Sequence, residues 1–159
     1  MGDGWFVRNV GEARWLERPG FGKRCELEPQ NAPFAQLGIR LSVLEPGDHS
    51  TYYHAETGEQ EGFLVLEGSC LAIVDEQEVP LRRLDYLHCP SGTRHVVVND
   101  SDARCVLLML GTRGESWTID YPVSEVALRY GAGVATEAHS PREAYAALPP
   151  WQPTTPVDL

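Results

Sequence analysis

Residues 84–99 read LDYLHCPSGTRHVVVN and decide the fold of this 159-residue chain. The apolar run at its start predicts a strand over residues 84–89, and residues 90–92, Pro-Ser-Gly, predict a tight turn after it. His95 follows the turn and precedes a second apolar run, which ends at the polar turn cluster of residues 99–102. This pattern is typical of short β-strands separated by tight turns.

The sequence on either side repeats this pattern, between about residues 36 and 112. Residues 37–43 alternate between apolar and other side chains with period two, as on a strand with one buried face. Short strands with turn signals about every 8–12 residues predict a β-sandwich or barrel. No helical pattern of useful length lies between them, which argues against a βαβ fold. Further short apolar runs bounded by turn residues lie at 63–66, 70–74 and 105–110.

The chain changes character after this region. Residues 122–130 carry apolar side chains at helical spacing, and Gly131 is placed to end that helix. Ser140 is placed to cap a second helix that runs to about Leu148, followed by an extended or disordered tail. We therefore expect an N-terminal strand and loop segment that packs on the barrel (1–35), the β-barrel (36–112), and a helical C-terminal extension with its tail (113–159).

Four side chains of the barrel region are of types that bind transition metals. His54 and Glu56 are two residues apart, so on a strand they share one face. Glu61 follows a short loop and opens the next strand, and His95 comes just after the turn at 90–92. If these strands wrap into a small barrel, two imidazoles and two carboxylates converge on one point. Imidazole and carboxylate together suit borderline divalent metals such as Fe, Mn, Ni or Zn.

The spacing of these residues resembles the first motif of the cupin superfamily. That motif is a glycine, five residues, His-x-His, three or four residues, Glu, six residues and a glycine. Here the corresponding residues are His54-x-Glu56-x4-Glu61-x6-Gly68. The chain departs from the motif in two ways: Glu56 stands in place of the second histidine, and Gly47 is one residue further from His54 than the pattern asks.

The second cupin motif is also present, and the resemblance covers residues 36–112, about half of the chain. It extends to small single-domain bacterial cupins with a helical C-terminal extension. It implies an all-β double-stranded β-helix, that is, a jelly-roll barrel, with short C-terminal helices. It further implies that His54, Glu61 and His95 bind a divalent transition metal, with Glu56 replacing the missing histidine. The added carboxylate favours Mn or Fe somewhat, without excluding Zn or Ni. The second motif is matched in register at Asp85, Pro90, Gly92, His95 and Asn99.

Three further side chains are candidates for the substrate pocket, each with a structural alternative. Tyr52 has the strand parity of His54 and either lines the pocket or packs in the barrel. Arg40 interrupts an apolar alternation and either reaches a substrate carboxylate or faces solvent. His88 lies in a strand, where a hydrogen-bonded place in the barrel wall is the alternative. A second alignment, with Tyr52 and His54 as the two motif histidines, needs a longer gap before Glu61.

Composition limits the partners of the chain. Its net charge of −10, from 23 acidic and 13 basic residues, predicts repulsion from nucleic acids and from anionic membranes. No apolar stretch is as long as a membrane span, and the N-terminus lacks the basic and apolar regions of a signal peptide. The four scattered cysteines form no C-x-x-C pair, which is typical of reduced thiols. We therefore expect a cytoplasmic protein, and a homodimer in which open sheet edges are covered.

Three functions are compatible with these features. A metal with an open coordination position in a concave barrel predicts an enzyme that acts on a small organic molecule, by dioxygenase-type or isomerase-type chemistry. The alternative is a non-catalytic module that binds or senses a small molecule, because a fold alone does not decide between the two. A metal-free sugar-modifying protein, with His95 or His54 as the base, is the third and predicts no bound metal.

Overall fold

The structure is a computed structural model that describes residues 4–159, so the first three residues of the expected 1–35 segment lie outside the described part. Over the described residues the chain is mostly β-strand, with three very short helices. The strands are β1 (Arg14–Arg18), β2 (Gly22–Glu26), β3 (Leu37–Leu44), β4 (Ala55–Thr57), β5 (Glu61–Glu67), β6 (Ser69–Val74), β7 (Gln77–Arg82), β8 (Tyr86–Cys89), β9 (His95–Val98), β10 (Cys105–Thr112), β11 (Thr118–Asp120) and β12 (Gln152–Thr154). The helices are a 3-10 turn (Val10–Glu12), α1 (Glu125–Arg129) and α2 (Pro141–Ala144).

The strands form two main antiparallel sheets that enclose the core. The larger sheet has the order β12-β1-β2-β3-β10-β5-β8, the smaller has the order β7-β6-β9, and β4 pairs with β11 apart from both. Buried side chains of the larger sheet, such as Phe63 and Leu107, pack against Ala72 and Val97 of the smaller one. The expectation of an all-β jelly-roll barrel with short C-terminal helices is confirmed.

A hairpin before the barrel region widens the larger sheet. β1 pairs with β2, and β2 pairs with β3 in a register that sets Cys25 opposite Leu41. Trp15 is buried in this hairpin, and its indole N–H donates to the carbonyl oxygen of Val10 at 2.8 Å. The backbone of Gly22 has φ +65° and lies so close to Val43 that any side chain would collide with it. This close approach holds the hairpin against β3.

The C-terminal extension is less helical than its pattern predicts. α1 begins after Ser124, whose hydroxyl accepts from the Ala127 N–H at 3.0 Å, and the chain turns at Gly131 as expected. The expected second helix stops at Ala144 instead of Leu148. Tyr145, the next residue, stacks its ring on that of Tyr52, and its hydroxyl oxygen accepts from the Tyr52 N–H at 3.1 Å. The tail forms β12, which pairs with β1.

Two further properties concern the whole described chain. All four cysteines are buried and carry free thiols. Within residues 4–159, the helices are too short to cross a membrane.

Candidate metal centre

His54 and His95 face each other across two segments whose backbones pair. The His95 N–H donates to the His54 carbonyl oxygen at 2.8 Å, and the His54 N–H donates to the His95 carbonyl oxygen at 3.2 Å. This pairing brings the two imidazole centroids to 4.8 Å. Both residues are buried, with 3% and 2% of their surface exposed. The barrel wall therefore fixes two histidines that are distant in sequence.

Backbone carbonyls orient both rings. His54 Nδ1 lies 2.8 Å from the carbonyl oxygen of Tyr52, and His95 Nδ1 lies 3.0 Å from that of Thr93. Because a carbonyl oxygen only accepts hydrogen bonds, Nδ1 of each ring carries a proton. Nε2 is then the atom that each ring offers to a metal, with its orientation fixed from behind.

Glu61, the first residue of β5, completes a three-residue cluster. Its Oε2 lies 2.8 Å from His95 Nε2 and 3.3 Å from His54 Nε2, and the ligand atoms of the three residues all lie within 4.8 Å of one another. Glu61 Oε2 and His95 Nε2 are both buried, and apart from these contacts within the cluster neither atom has a hydrogen-bond partner. Two imidazole nitrogens and a carboxylate oxygen that converge in this way fit a divalent metal.

The members of the cluster stabilise one another's charge. Burial alone would raise the pKa of Glu61, but its contacts with His54 and His95 hold that pKa well below the usual range of a carboxyl group. Burial alone would lower the pKa of His95, whereas its contacts with Cys89 and Glu61 raise it to about 10. The cluster without a metal is thus a carboxylate beside an imidazolium. A metal that binds His95 Nε2 must displace this proton.

A cavity of about 510 Å³ opens beside the cluster. Its wall includes His54, Glu56 and Glu61, while His95 lies behind them. The volume is in the range of sites that bind small organic molecules. The remaining wall mixes charged, aromatic and apolar side chains, among them Arg24, Arg40, Met109, Trp117, Ile119 and Tyr121.

Residues 40–111 match the family model described as the cupin domain. A curated protein of Mycobacterium tuberculosis, named beta-D-galactosidase, is 34% identical over 89 residues, which span 56% of this chain and 68% of that protein. The chain belongs to the cupin superfamily.

Solved structures of other cupins agree with this assignment. A chain from Silicibacter pomeroyi, described as a sugar phosphate isomerase from a cupin superfamily, matches with a TM-score of 0.58 and 30% identity, over 65% of this chain and 66% of that one. A protein of Thermotoga maritima, described as a predicted oxalate decarboxylase, matches with a TM-score of 0.58 over 67% of this chain and 98% of that one. Its identity of 19% shows the fold alone. About a third of the length of the mycobacterial and Silicibacter proteins lies outside the matched regions.

Cupins commonly bind divalent metals, and three of the four expected ligands of this cupin come together. Glu56, the fourth, lies at the edge of the cluster, with its Oε1 4.0 Å from His54 Nε2. It is not among the residues whose ligand atoms all lie within 4.8 Å of one another. Burial, followed by the charge of Glu61, raises the pKa of Glu56. Its role as a ligand stays a prediction.

Only one of the three expected pocket residues lines the cavity of this cupin, namely Arg40. The ring of Tyr52 instead stacks on Tyr145, with centroids 5.1 Å apart and planes 5° from parallel. His88 is exposed on the outer side of β8, because the next residue, Cys89, points into the core and side chains alternate along a strand. Tyr52 thus packs against another ring, its structural alternative, and neither Tyr52 nor His88 is among the residues of the cavity wall.

Other residues of the cavity wall lie outside the two motifs and were missed. Arg24 reaches the cavity because β2 pairs with β3, and β11 arrives there by pairing Ile119 with Glu56. The period-two alternation of Trp117, Ile119 and Tyr121 is a strand signal that could have identified β11 as a wall of the site. No local pattern identifies Arg24.

Proposed function

We propose that this cupin is a divalent-metal enzyme that moves a proton within a hydroxylated small molecule, an isomerase-type reaction. The observation that carries the proposal is the buried cluster of His54, Glu61 and His95, in which two imidazole nitrogens and a carboxylate oxygen all lie within 4.8 Å of one another. The cluster lies beside a cavity of suitable volume. The names of two relatives, a beta-D-galactosidase and a sugar phosphate isomerase, both refer to carbohydrates and support a hydroxylated substrate.

The residues of the cavity divide the chemical tasks among them. His54, Glu61 and His95 would hold the metal, which when bound would polarise a carbonyl or hydroxyl oxygen of the substrate. The Glu56 carboxylate, in the wall beside them, is placed to take a proton from the hydroxyl-bearing carbon next to the carbonyl and return it to the carbonyl carbon, while the hydroxyl proton moves to the former carbonyl oxygen. The buried ring of Tyr121 closes the wall near His54, with ring centroids 5.7 Å apart, and helps to exclude water.

Isomerase-type chemistry is preferred to dioxygenase-type chemistry because of Glu56. Proton transfer between neighbouring carbons needs a carboxylate that the metal does not fully occupy, and Glu56 lies outside the tight three-residue cluster. A non-catalytic binding module gives this half-buried carboxylate no chemical task. Deuterium uptake at the carbon atoms of a sugar in D₂O separates these possibilities.

Metal content tests the first part of the proposal. Elemental analysis of the purified protein is expected to give close to one transition metal per chain, and to give little in His54→Ala and His95→Ala. His88→Ala is the matched control, because His88 is exposed on the outer side of β8 and should leave the metal content unchanged. Wild-type metal content in the double variant of His54 and His95 would refute the site.

Solvent exchange tests the second part. In D₂O, free and phosphorylated pentoses and hexoses are incubated with the protein, and deuterium uptake at carbon is followed by NMR. We expect exchange with the wild type, a loss of about 100-fold or more in Glu56→Gln, and retained metal in that variant. Glu59→Gln, which changes a second carboxylate of the same cavity, is the control. Exchange at the wild-type rate in Glu56→Gln rules out Glu56 as the base, and loss of metal in that variant makes it a ligand.

A further inference from the structure

A second cavity, of about 410 Å³, adjoins the first and is lined by four arginines. Arg18 ends β1, Arg24 lies on β2, Arg40 on β3 and Arg142 on α2. No acidic side chain is part of its wall within the described residues. The chain as a whole carries a net charge of −10, so this concentration of like charge is not a property of its average surface. Guanidinium groups brought together in this way repel one another unless an anion lies between them.

Most of these arginines lack an ion-pair partner in the protein. Of the four, only Arg24 forms an ion pair within the described residues, with its Nη2 3.0 Å from Glu26 Oε1. The Nε atoms of Arg18 and Arg24 are buried and have no hydrogen-bond acceptor. Burial, with the nearby charge of Arg40, lowers the pKa of Arg24 to about 10, which still leaves it protonated at neutral pH. Four guanidinium groups with one carboxylate partner among them indicate an anionic ligand that supplies the missing charge and acceptors.

Aromatic rings hold the guanidinium groups in place. The Trp151 ring lies under both Arg18 and Arg24, at 4.9 and 4.3 Å from ring centroid to guanidinium carbon. Arg18 also lies 5.6 Å from the centroid of Tyr145. A guanidinium group that lies over an aromatic ring keeps terminal N–H groups available for hydrogen bonds. Fixed guanidinium edges are the geometry that binds the oxygens of a phosphate in pairs.

We propose that this cavity is a subsite for the phosphate group of a phosphate monoester. A tetrahedral dianion offers oxygens to several guanidinium groups at once, whereas one guanidinium group satisfies a carboxylate. Four residues, Arg24, Arg40, Thr51 and Pro141, belong to the walls of both cavities, so a ligand can extend from one into the other. Its reacting carbons would then lie beside Glu56. This last step rests on the proposed function, whereas the phosphate subsite itself rests on the arginine cluster.

The test measures the binding of inorganic phosphate by isothermal titration calorimetry. We expect Arg40→Gln and Arg18→Gln each to weaken phosphate binding by about tenfold or more. Arg82→Gln removes the same charge from a side chain that is 88% exposed and outside the cavity, and should leave the affinity unchanged. His54→Ala, which removes a metal ligand, should also bind phosphate as the wild type does. Arg142→Gln, at an exposed position, provides a second cavity variant in case Arg40→Gln does not fold, as judged by circular dichroism.

Four results would overturn the subsite. They are equal phosphate affinity in the wild type and the cavity variants, an equal loss in Arg82→Gln, a loss confined to His54→Ala, and acetate binding as tight as that of phosphate. The third result would assign the phosphate to the metal. Metal content is measured on the same samples and reports on the proposed function separately. A protein that binds phosphate through its arginines but holds no metal keeps the subsite and refutes the metal enzyme.

Discussion

Replacing Asn99 by aspartate tests whether a buried amide holds the end of the barrel together. The Asn99 side chain is buried, and its Nδ2 donates to the carbonyl oxygens of Leu44 and Ala103, both at 2.8 Å. Its Oδ1 accepts from the Ser101 N–H at 3.0 Å and from the Ser101 hydroxyl at 2.8 Å. One side chain therefore links β3 to the loop that precedes β10.

Asn99→Asp keeps the acceptor and loses both donors. Each lost hydrogen bond costs about 1–1.5 kcal/mol, and a carboxylate that faces two buried carbonyl oxygens adds about 1–2 kcal/mol. We expect the free energy of unfolding to fall by about 3–5 kcal/mol at neutral pH, a large part of the stability of a typical domain. The carbonyls favour the protonated acid, so the folded state raises the pKa of the new carboxyl group above its unfolded value of about 3.9. The deficit should therefore be smaller at acid pH and grow as the pH rises through the folded pKa.

Urea unfolding followed by circular dichroism measures both effects. Asn9→Asp is the matched control, because Asn9 is exposed and its Oδ1 only accepts, from the Gly11 N–H at 2.8 Å. Aspartate caps as well as asparagine at such a position, so the control should change the free energy of unfolding by less than about 0.5 kcal/mol. A loss below about 1 kcal/mol in Asn99→Asp, or one that does not depend on pH, would show that the amide is not the link described.

The motif spacing predicted the barrel and the three residues of the cluster, His54, Glu61 and His95, because both depend on local strand geometry. Residues such as Glu61 and His95 stand next to turns, so their strand parity fixes which side of the wall they face. The strand at 77–82 was missed, because its side chains are mostly exposed and carry no apolar alternation. Its turn, at Asp75 and Glu76, uses left-handed backbone that the residue types do not require.

The arginine cavity could not be predicted from the sequence. Its wall combines β1, β2 and β3 with α2 and Trp151, segments that meet only after the N-terminal hairpin has joined the sheet and the tail has paired with β1. No motif or periodicity links Arg18 to Trp151, since their approach depends on the packing of the whole chain. The sequence did single out Arg40, by its position in an apolar alternation, and Arg40 lines both cavities.

Three further outcomes are expected. The Glu28 carboxylate accepts hydrogen bonds from the N–H groups of Phe34 and Ile39. Burial alone would raise the pKa of Glu28, but the hydrogen bond that Arg113 donates lowers it. In urea unfolding, the free energy of unfolding of the wild type should therefore exceed that of Glu28→Gln by about 1–2 kcal/mol at pH 7. This difference should be complete above the pKa that Glu28 has in the unfolded chain, and should disappear as the pH falls through its lower pKa in the folded protein. Gly68→Ala should lower the melting temperature more than Gly47→Ala. Both glycines have positive φ, but only at Gly68 would a side chain collide with backbone, namely that of Arg104. Equal losses of melting temperature would contradict this. Light scattering should give twice the 17.6 kDa chain mass, because open sheet edges favour pairing, and a monomer at micromolar concentration would refute the homodimer.

Charge differs between the two ends of the adjoining cavities, and this difference would orient a ligand that spans both. The end beside His54 carries carboxylates, including Glu56, Glu59 and Glu61, while the other end carries Arg18 and Arg142. A phosphate monoester with hydroxyl groups at its far end has one favourable orientation, because the reverse one sets its dianion against the carboxylates. The arginines would thus favour both the binding of such a substrate and the one orientation in which its carbons reach the proposed base. A neutral sugar lacks this discrimination, so the two proposals together predict that phosphorylated sugars exchange faster than their free forms.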